Sequence, residues 1–180
     1  MSPGRAAVFL DRDGVLVRAH VVDGVPHAIR AVAELELEPG AEEACRSLAA
    51  AGLPLVVVTN QPEIARGTLT RSAVDRIHAR LRELLPLDEI LVCPHDDADG
   101  CACRKPLPGM LLQAASRLGL DLEASTMVGD RWRDVGAGRA AGCATVLLGR
   151  EYSEQVPDRP DVTVRDLGEA AAWILAGRSR

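Results

Sequence analysis

Two aspartates stand two residues apart in "FLDRDGV", directly after an apolar run: Asp11 and Asp13. On this spacing one carboxylate can attack phosphorus as a nucleophile. The other can protonate the leaving oxygen and later deprotonate a water. Downstream, "VGDRWRD" supplies a further carboxylate, Asp130, again directly after an apolar run. With Asp11 and Asp13 it makes three carboxylates, enough to hold a hard octahedral ion such as Mg2+ with waters completing the shell. Thr59, at the end of "LPLVVVT", and Lys105 are placed to offset charge on phosphoryl oxygens. Phosphoryl transfer relies mostly on such positioning and charge stabilisation. Lys105 is the one lysine beside twenty arginines. A compact ammonium kept against that bias suggests a tight site in which a planar fork does not fit.

The stretch "CPHDDADGCACRKP" gathers Cys93, His95, Cys101 and Cys103. Three sulfurs and an imidazole form the ligand set of a closed, structural Zn2+ site with no open position for water. Redox cysteines or plain thiols are the other readings, although a redox pair more often has two residues between its cysteines. Such a clamp would present Arg104 and Lys105 in register. Asp96, Asp97 and Asp99 are expected to be solvated, and Cys45 and Cys143 to be buried, inert thiols. His20, His27 and His78 have no partner pattern and are expected on the surface or in loops, with His20 and His27 candidates for lining a pocket.

These groups need a frame. Apolar runs at 6–10, 53–59, 88–93, 125–129 and 144–148 read as buried strands. Helical patterns lie at 40–52, 70–85, 108–119, 133–142 and about 167–176. Alternation of this kind implies an α/β fold, a Rossmann-like sandwich of three layers with a mainly parallel central sheet. Ligands in such sheets bind at the carboxyl ends of the strands, where the polar groups above fall. The segment 15–39 reads as a hairpin or a lid-like loop, and 149–161 as a loop.

The bulk numbers fit one domain spanning 1–180. Aromatics are four, Phe9, Trp132, Tyr152 and Trp173, so Ala, Val and Leu must build the core. A net charge of −5 argues against broad phosphate neutralisation, hence no nucleic-acid partner, but permits a small anionic substrate. No apolar run suits a signal peptide or a membrane span, so a cytoplasmic, membrane-free protein with reduced thiols is expected. No exposed apolar stripe is evident, which favours a monomer.

Taken together, "FLDRDGVL", "VVVTNQ", "CRKPLPGM" and "VGDRWRD" resemble the four motifs of the haloacid dehalogenase superfamily of phosphatases. Residues 5–150 carry the resemblance. It is closest to the zinc-loop subgroup of heptose bisphosphate and histidinol-phosphate phosphatases, which has no large cap domain. The resemblance implies Asp11 as nucleophile and Asp13 as general acid/base. It implies Mg2+ on Asp11, Asp130 and the backbone carbonyl of Asp13, and structural zinc on Cys93, His95, Cys101 and Cys103. Thr59 and Lys105 would stabilise the phosphoryl group, and Asn60, Gln61, Arg104 and Arg131 would touch phosphate or substrate. The implied reaction is hydrolysis of a sugar phosphate monoester through an aspartyl-phosphate, with a heptose 1,7-bisphosphate as the substrate and histidinol phosphate as the alternative. Pro62 and Glu63 stand where the family often has Ser-Gly, and only five residues separate His95 from Cys101, as in the histidinol-phosphate members. A phospho-receiver domain also clusters aspartates, Thr and Lys, but its phosphorylated Asp follows the third strand, where this chain has Cys93.

Overall fold

The computed structural model describes residues 4–156 and 159–177. Thirteen elements follow in order: β1 (Val8–Leu10), β2 (His20–Val22), β3 (Val25–His27), α1 (Ala41–Ala50), β4 (Leu55–Asn60), α2 (Arg71–Leu84), β5 (Glu89–Cys93), α3 (Gly109–Leu118), β6 (Thr126–Gly129), α4 (Trp132–Ala141), β7 (Ala144–Leu148), β8 (Val162–Val164) and α5 (Leu167–Leu175). Short 3-10 turns occupy Val32–Glu34 and Asp97–Asp99. None of the described helices is long and apolar enough to cross a membrane.

Six strands form one sheet in the order β5-β4-β1-β6-β7-β8. Every pairing in it is parallel. Alternation along the strands splits the core in two. Val8, Leu10, Val57, Val128 and Val146 face α1, α2 and α5, through Leu48, Ile77, Leu81 and Ile174. Phe9, Val56, Val58 and Met127 face α3 and α4, through Met110, Leu111 and Ala137. Strands buried on both faces explain the continuous apolar runs. The small residues of α4 serve close approach: a Cβ on Gly138 would lie 2.7 Å from that of Met127. Thr70 caps α2 by accepting from the Ala73 N–H, and Asp166 caps α5 by accepting from that of Glu169.

Segment 15–39 resolves into three parts. Val15, Leu16 and Val17 are buried. β2 and β3 then pair antiparallel around Asp23-Gly24, both with positive φ, the turn this dipeptide favours. Ile29 anchors the return to the core. The C-terminal tail adds β8, which the sequence reading lacks. Three residues are too few to show alternation; Val146–Val162 pairing and Asp161, which accepts from Thr145 N at 2.8 Å, hold it on the sheet edge.

Candidate active site

The loops leaving β1, β4, β5 and β6 meet at one sheet edge, around a cavity of about 260 Å3. Its floor holds Asp11, Asp13, Thr59, Lys105 and Asp134. The β3 residues Val25 to His27 lie along its rim.

Lys105 is the centre of the floor. Its ammonium donates to Asp11 Oδ1 at 2.8 Å and to Asp134 Oδ1 at 2.6 Å, with the side chain 2 % exposed. Burial works against its charge, and the two carboxylates outweigh burial, so its pKa stands above the ordinary lysine value. Asn60 fixes the lysine's backbone from both sides, donating to the Lys105 carbonyl at 3.0 Å and accepting from its N–H at 3.1 Å.

Asp11, Asp130 and Asp134 bring one oxygen each within 4.8 Å of one another, all buried. Lys105 pairs with two of these three carboxylates, and Asp130 has the Tyr152 hydroxyl instead. Burial, then Asp11, pushes Asp134 up to about 6. Burial, then Asp11 and Asp134, raises Asp130 well above the carboxylate range. Asp130 Oδ1 is buried without a hydrogen-bond partner. A small divalent cation satisfies both the orphaned oxygen and the charge deficit, so these residues fit Mg2+. The sequence places Asp134 among the polar groups after the fourth strand but gives it no role at this site. Its signal was the four-residue spacing from Asp130, which turns Asp134 on α4 back toward the strand end.

Asp13 is held from two sides. Arg12 donates to Asp13 Oδ2 through Nε at 3.1 Å and Nη2 at 2.9 Å, and Gln61 donates to it at 3.0 Å. Gln61 also donates to Thr59 Oγ1 at 2.9 Å. Gln61 is wholly buried, so it orients Asp13 and Thr59 rather than lining the cavity, in contrast to the substrate contact implied by resemblance. Arg12 is itself wholly buried, and its Nη1 lies 3.0 Å from Nε2 of His78. His78 is therefore neither a surface nor a loop residue. It is buried on α2, where burial and then Arg12 drive its pKa down to about 3. Its position beside Val74, Ile77 and Leu81 on the apolar face was the available signal.

The walls carry Arg66, Arg104, Arg131 and Arg133. Asp97, expected to be merely solvated, ties two of them, accepting from Arg104 Nε at 2.8 Å and from Arg133 Nη1 at 3.0 Å. Asp96 accepts from Arg66, and with Asp99 forms a reciprocal cap on the turn. Arg131 reaches the wall and pairs with Glu154. Glu63 also lines the cavity, with Oε2 buried and unpartnered. His27 lines it and His20 does not.

Cys93, His95, Cys101 and Cys103 converge beside this wall. Cys93 Sγ is 3.2 Å from Cys103 Sγ and 3.7 Å from Cys101 Sγ, and His95 Nδ1 is 3.3 Å from Cys103 Sγ. Ligands about 2.3 Å from one tetrahedral ion stand roughly 3.8 Å apart, so the set fits zinc with little adjustment. Cys45 is buried, its thiol pushed up to about 12 by desolvation. Cys143 is buried as well.

Comparison with known proteins agrees with this geometry. Residues 21–142 match the family model of haloacid dehalogenase-like hydrolases. The chain is 40% identical to the D-glycero-beta-D-manno-heptose-1,7-bisphosphate 7-phosphatase of Yersinia pestis, across 97% of this chain and 92% of that one. It superposes with a TM-score of 0.82 and 34% identity on the D,D-heptose 1,7-bisphosphate phosphatase of B. bronchiseptica, solved with magnesium and phosphate, covering 96% of this chain and 99% of that one. A structure described as a putative HAD-like phosphatase from Mesorhizobium loti gives 0.79 and 36%, covering 98% of this chain and 88% of that one. With the motifs at the strand ends and the fold that carries them, these similarities establish that the chain belongs to the haloacid dehalogenase-like hydrolases.

Proposed function

We propose that this chain is a magnesium-dependent phosphatase that removes the 7-phosphate of a heptose 1,7-bisphosphate through an aspartyl-phosphate on Asp11. The observation that carries the reading is the floor: Lys105 braces Asp11, while Arg12 and Gln61 hold Asp13 two residues on. An oxygen of Asp11 attacks phosphorus, and the bond to the sugar oxygen breaks with its electron pair leaving on that oxygen. Asp13 supplies the proton this oxygen takes up. The Asp13 carboxylate then takes a proton from water, whose oxygen displaces Asp11 and completes inorganic phosphate. Asp11, Asp130 and the carbonyl of Asp13 would hold Mg2+, which neutralises charge on the transferring group. Asp134 keeps Lys105 in place. Thr59 and Lys105 meet the phosphoryl oxygens.

The four wall arginines, held in place by Asp96, Asp97 and Glu154, still face the cavity and can present donors to a second anionic group of the substrate. Zinc on the cysteine–histidine set keeps Arg104 and Lys105 in register. The unpartnered Glu63 oxygen supports histidinol phosphate as a second reading, since a carboxylate there suits an ammonium group. The test is phosphate release from both substrates with Mg2+, by the wild type and by Asp11→Asn. The wild type should turn over the heptose bisphosphate faster and the variant neither. Equal activity of the two proteins would refute the nucleophile; faster release from histidinol phosphate would reverse the substrate.

A further inference from the structure

The segment between β7 and β8 has no part in the chemistry described so far, yet four of its residues grip the site. Arg150 donates from Nη2 to the Gly14 carbonyl at 3.0 Å and pairs with Glu38 at 3.3 Å. Tyr152 donates its hydroxyl to Asp130 Oδ2 at 2.7 Å. The Ser153 N–H donates to the Gly24 carbonyl in the β2–β3 turn at 2.8 Å. Glu154 accepts from Arg131 Nε at 2.8 Å. Arg150, Tyr152 and Glu154 thus each send a side chain toward the site from one short strap. They reach the loop after β1 and the loop after β6.

Tyr152 makes the contact of consequence. It occupies one oxygen of Asp130, and the other, Oδ1, is buried and accepts nothing. The carboxylate is thereby fixed with one oxygen spoken for and one left for a cation. The fit is close. A Cβ on Gly14, whose φ is +83°, would lie 1.9 Å from Asp130 Oδ2 and 3.0 Å from the tyrosine hydroxyl. Glycine leaves room there for the pair.

We propose that Tyr152 is a positioning residue for the cation site, setting the orientation in which Asp130 meets Mg2+. The proposal rests on the magnesium-dependent reading above. A hydroxyl that orients a metal-bound carboxylate acts through the ligand, and losing such a partner costs 10–100-fold in metal affinity. Because the coupling is reciprocal, Mg2+ must also tighten the strap.

The test is isothermal titration of Mg2+ into metal-free wild type and Tyr152→Phe. Each is accompanied by a thermal melt and by turnover measured across Mg2+ concentration. The expected result is a Kd for Mg2+ about 10–100-fold weaker in the variant. Its metal-free melt should stay near wild type, and its kcat should recover at saturating Mg2+. Equal Kd values in the two proteins overturn the proposal. No Mg2+ binding by the wild type would instead overturn the magnesium-dependent reading itself. Should Tyr152→Phe not fold, hydrogen exchange in the wild type decides: Mg2+ must slow the amides of residues 150–154, and unchanged exchange overturns the proposal.

Discussion

Replacing His78 separates a structural hydrogen bond from a titration. Arg12 is wholly buried and its Nη1 has the His78 imidazole as partner at 3.0 Å. In His78→Leu that donor loses its acceptor, a cost of about 1–3 kcal/mol. Taking about 2 kcal/mol, Tm falls by roughly 4–8 °C for a chain of this size. His78→Gln keeps an amide oxygen to accept from Arg12 and should recover much of the loss. The pH dependence is the sharper discriminator. Burial and Arg12 hold the folded imidazole down to about 3, whereas the unfolded one titrates near 6.5. The unfolded chain therefore binds the proton first. The stability contributed by neutral His78 is fully present above about pH 6.5 and is lost as pH falls toward 3, by up to ~1.4 kcal/mol per unit. Gln does not titrate. Urea unfolding from pH 7.5 to 4.5 should show wild type losing about 2–3 kcal/mol relative to His78→Gln below pH 6.5, so that the variant becomes the more stable of the two. Parallel curves for the two proteins would refute the argument that a buried, neutral imidazole braces Arg12.

Three further outcomes are expected. Lys105→Arg should lower kcat about 100-fold or more, because the wider guanidinium must displace Asp11 or Asp134; turnover near wild type would show that charge alone suffices. Cys103→Ser should lose bound zinc, melt at lower temperature and raise KM through displaced Arg104, as read by metal analysis and kinetics; full zinc content would remove the cysteine from the ligand set. The raised pKa of Asp130 means that a proton must leave before a cation enters. Mg2+ affinity should therefore weaken as pH falls, with proton release seen on titration in buffers of different ionisation enthalpy. The pKa of Asp134 is raised as well, so its contribution to the stability of the metal-free protein should shrink as pH rises from about 4 to 6, read as the difference between wild type and Asp134→Asn.

The central strands and the groups at their ends were readable because a parallel sheet buried on both faces leaves continuous apolar runs, with polar residues where each run stops. Asp11, Asp13, Thr59 and Asp130 share that origin. Contacts that cross the sequence without a local pattern were not readable. Asp97 meets Arg133 from 36 residues away, and Tyr152 meets Asp130 from 22. Gln61 sits next to Asn60 but points beneath the floor, a difference decided by tertiary packing. His78 was readable in principle from the helical period on α2, and Asp134, already placed after the fourth strand, from its position in the first turn of α4.

The sheet order also bears on how such a chain can be re-engineered. Asp11, Asp13, Thr59 and Asp130 leave from β1, β4 and β6, three adjacent strands inside the sheet. Most of the remaining lining comes from connections: the β2–β3 hairpin, the loop after β4 and the loop after β5. A mutant library confined to residues 25–28, 62–66 and 96–97 would vary the rim without altering the register of those inner strands. Substrate range and chemical competence thereby become separable traits, open to selection in successive rounds.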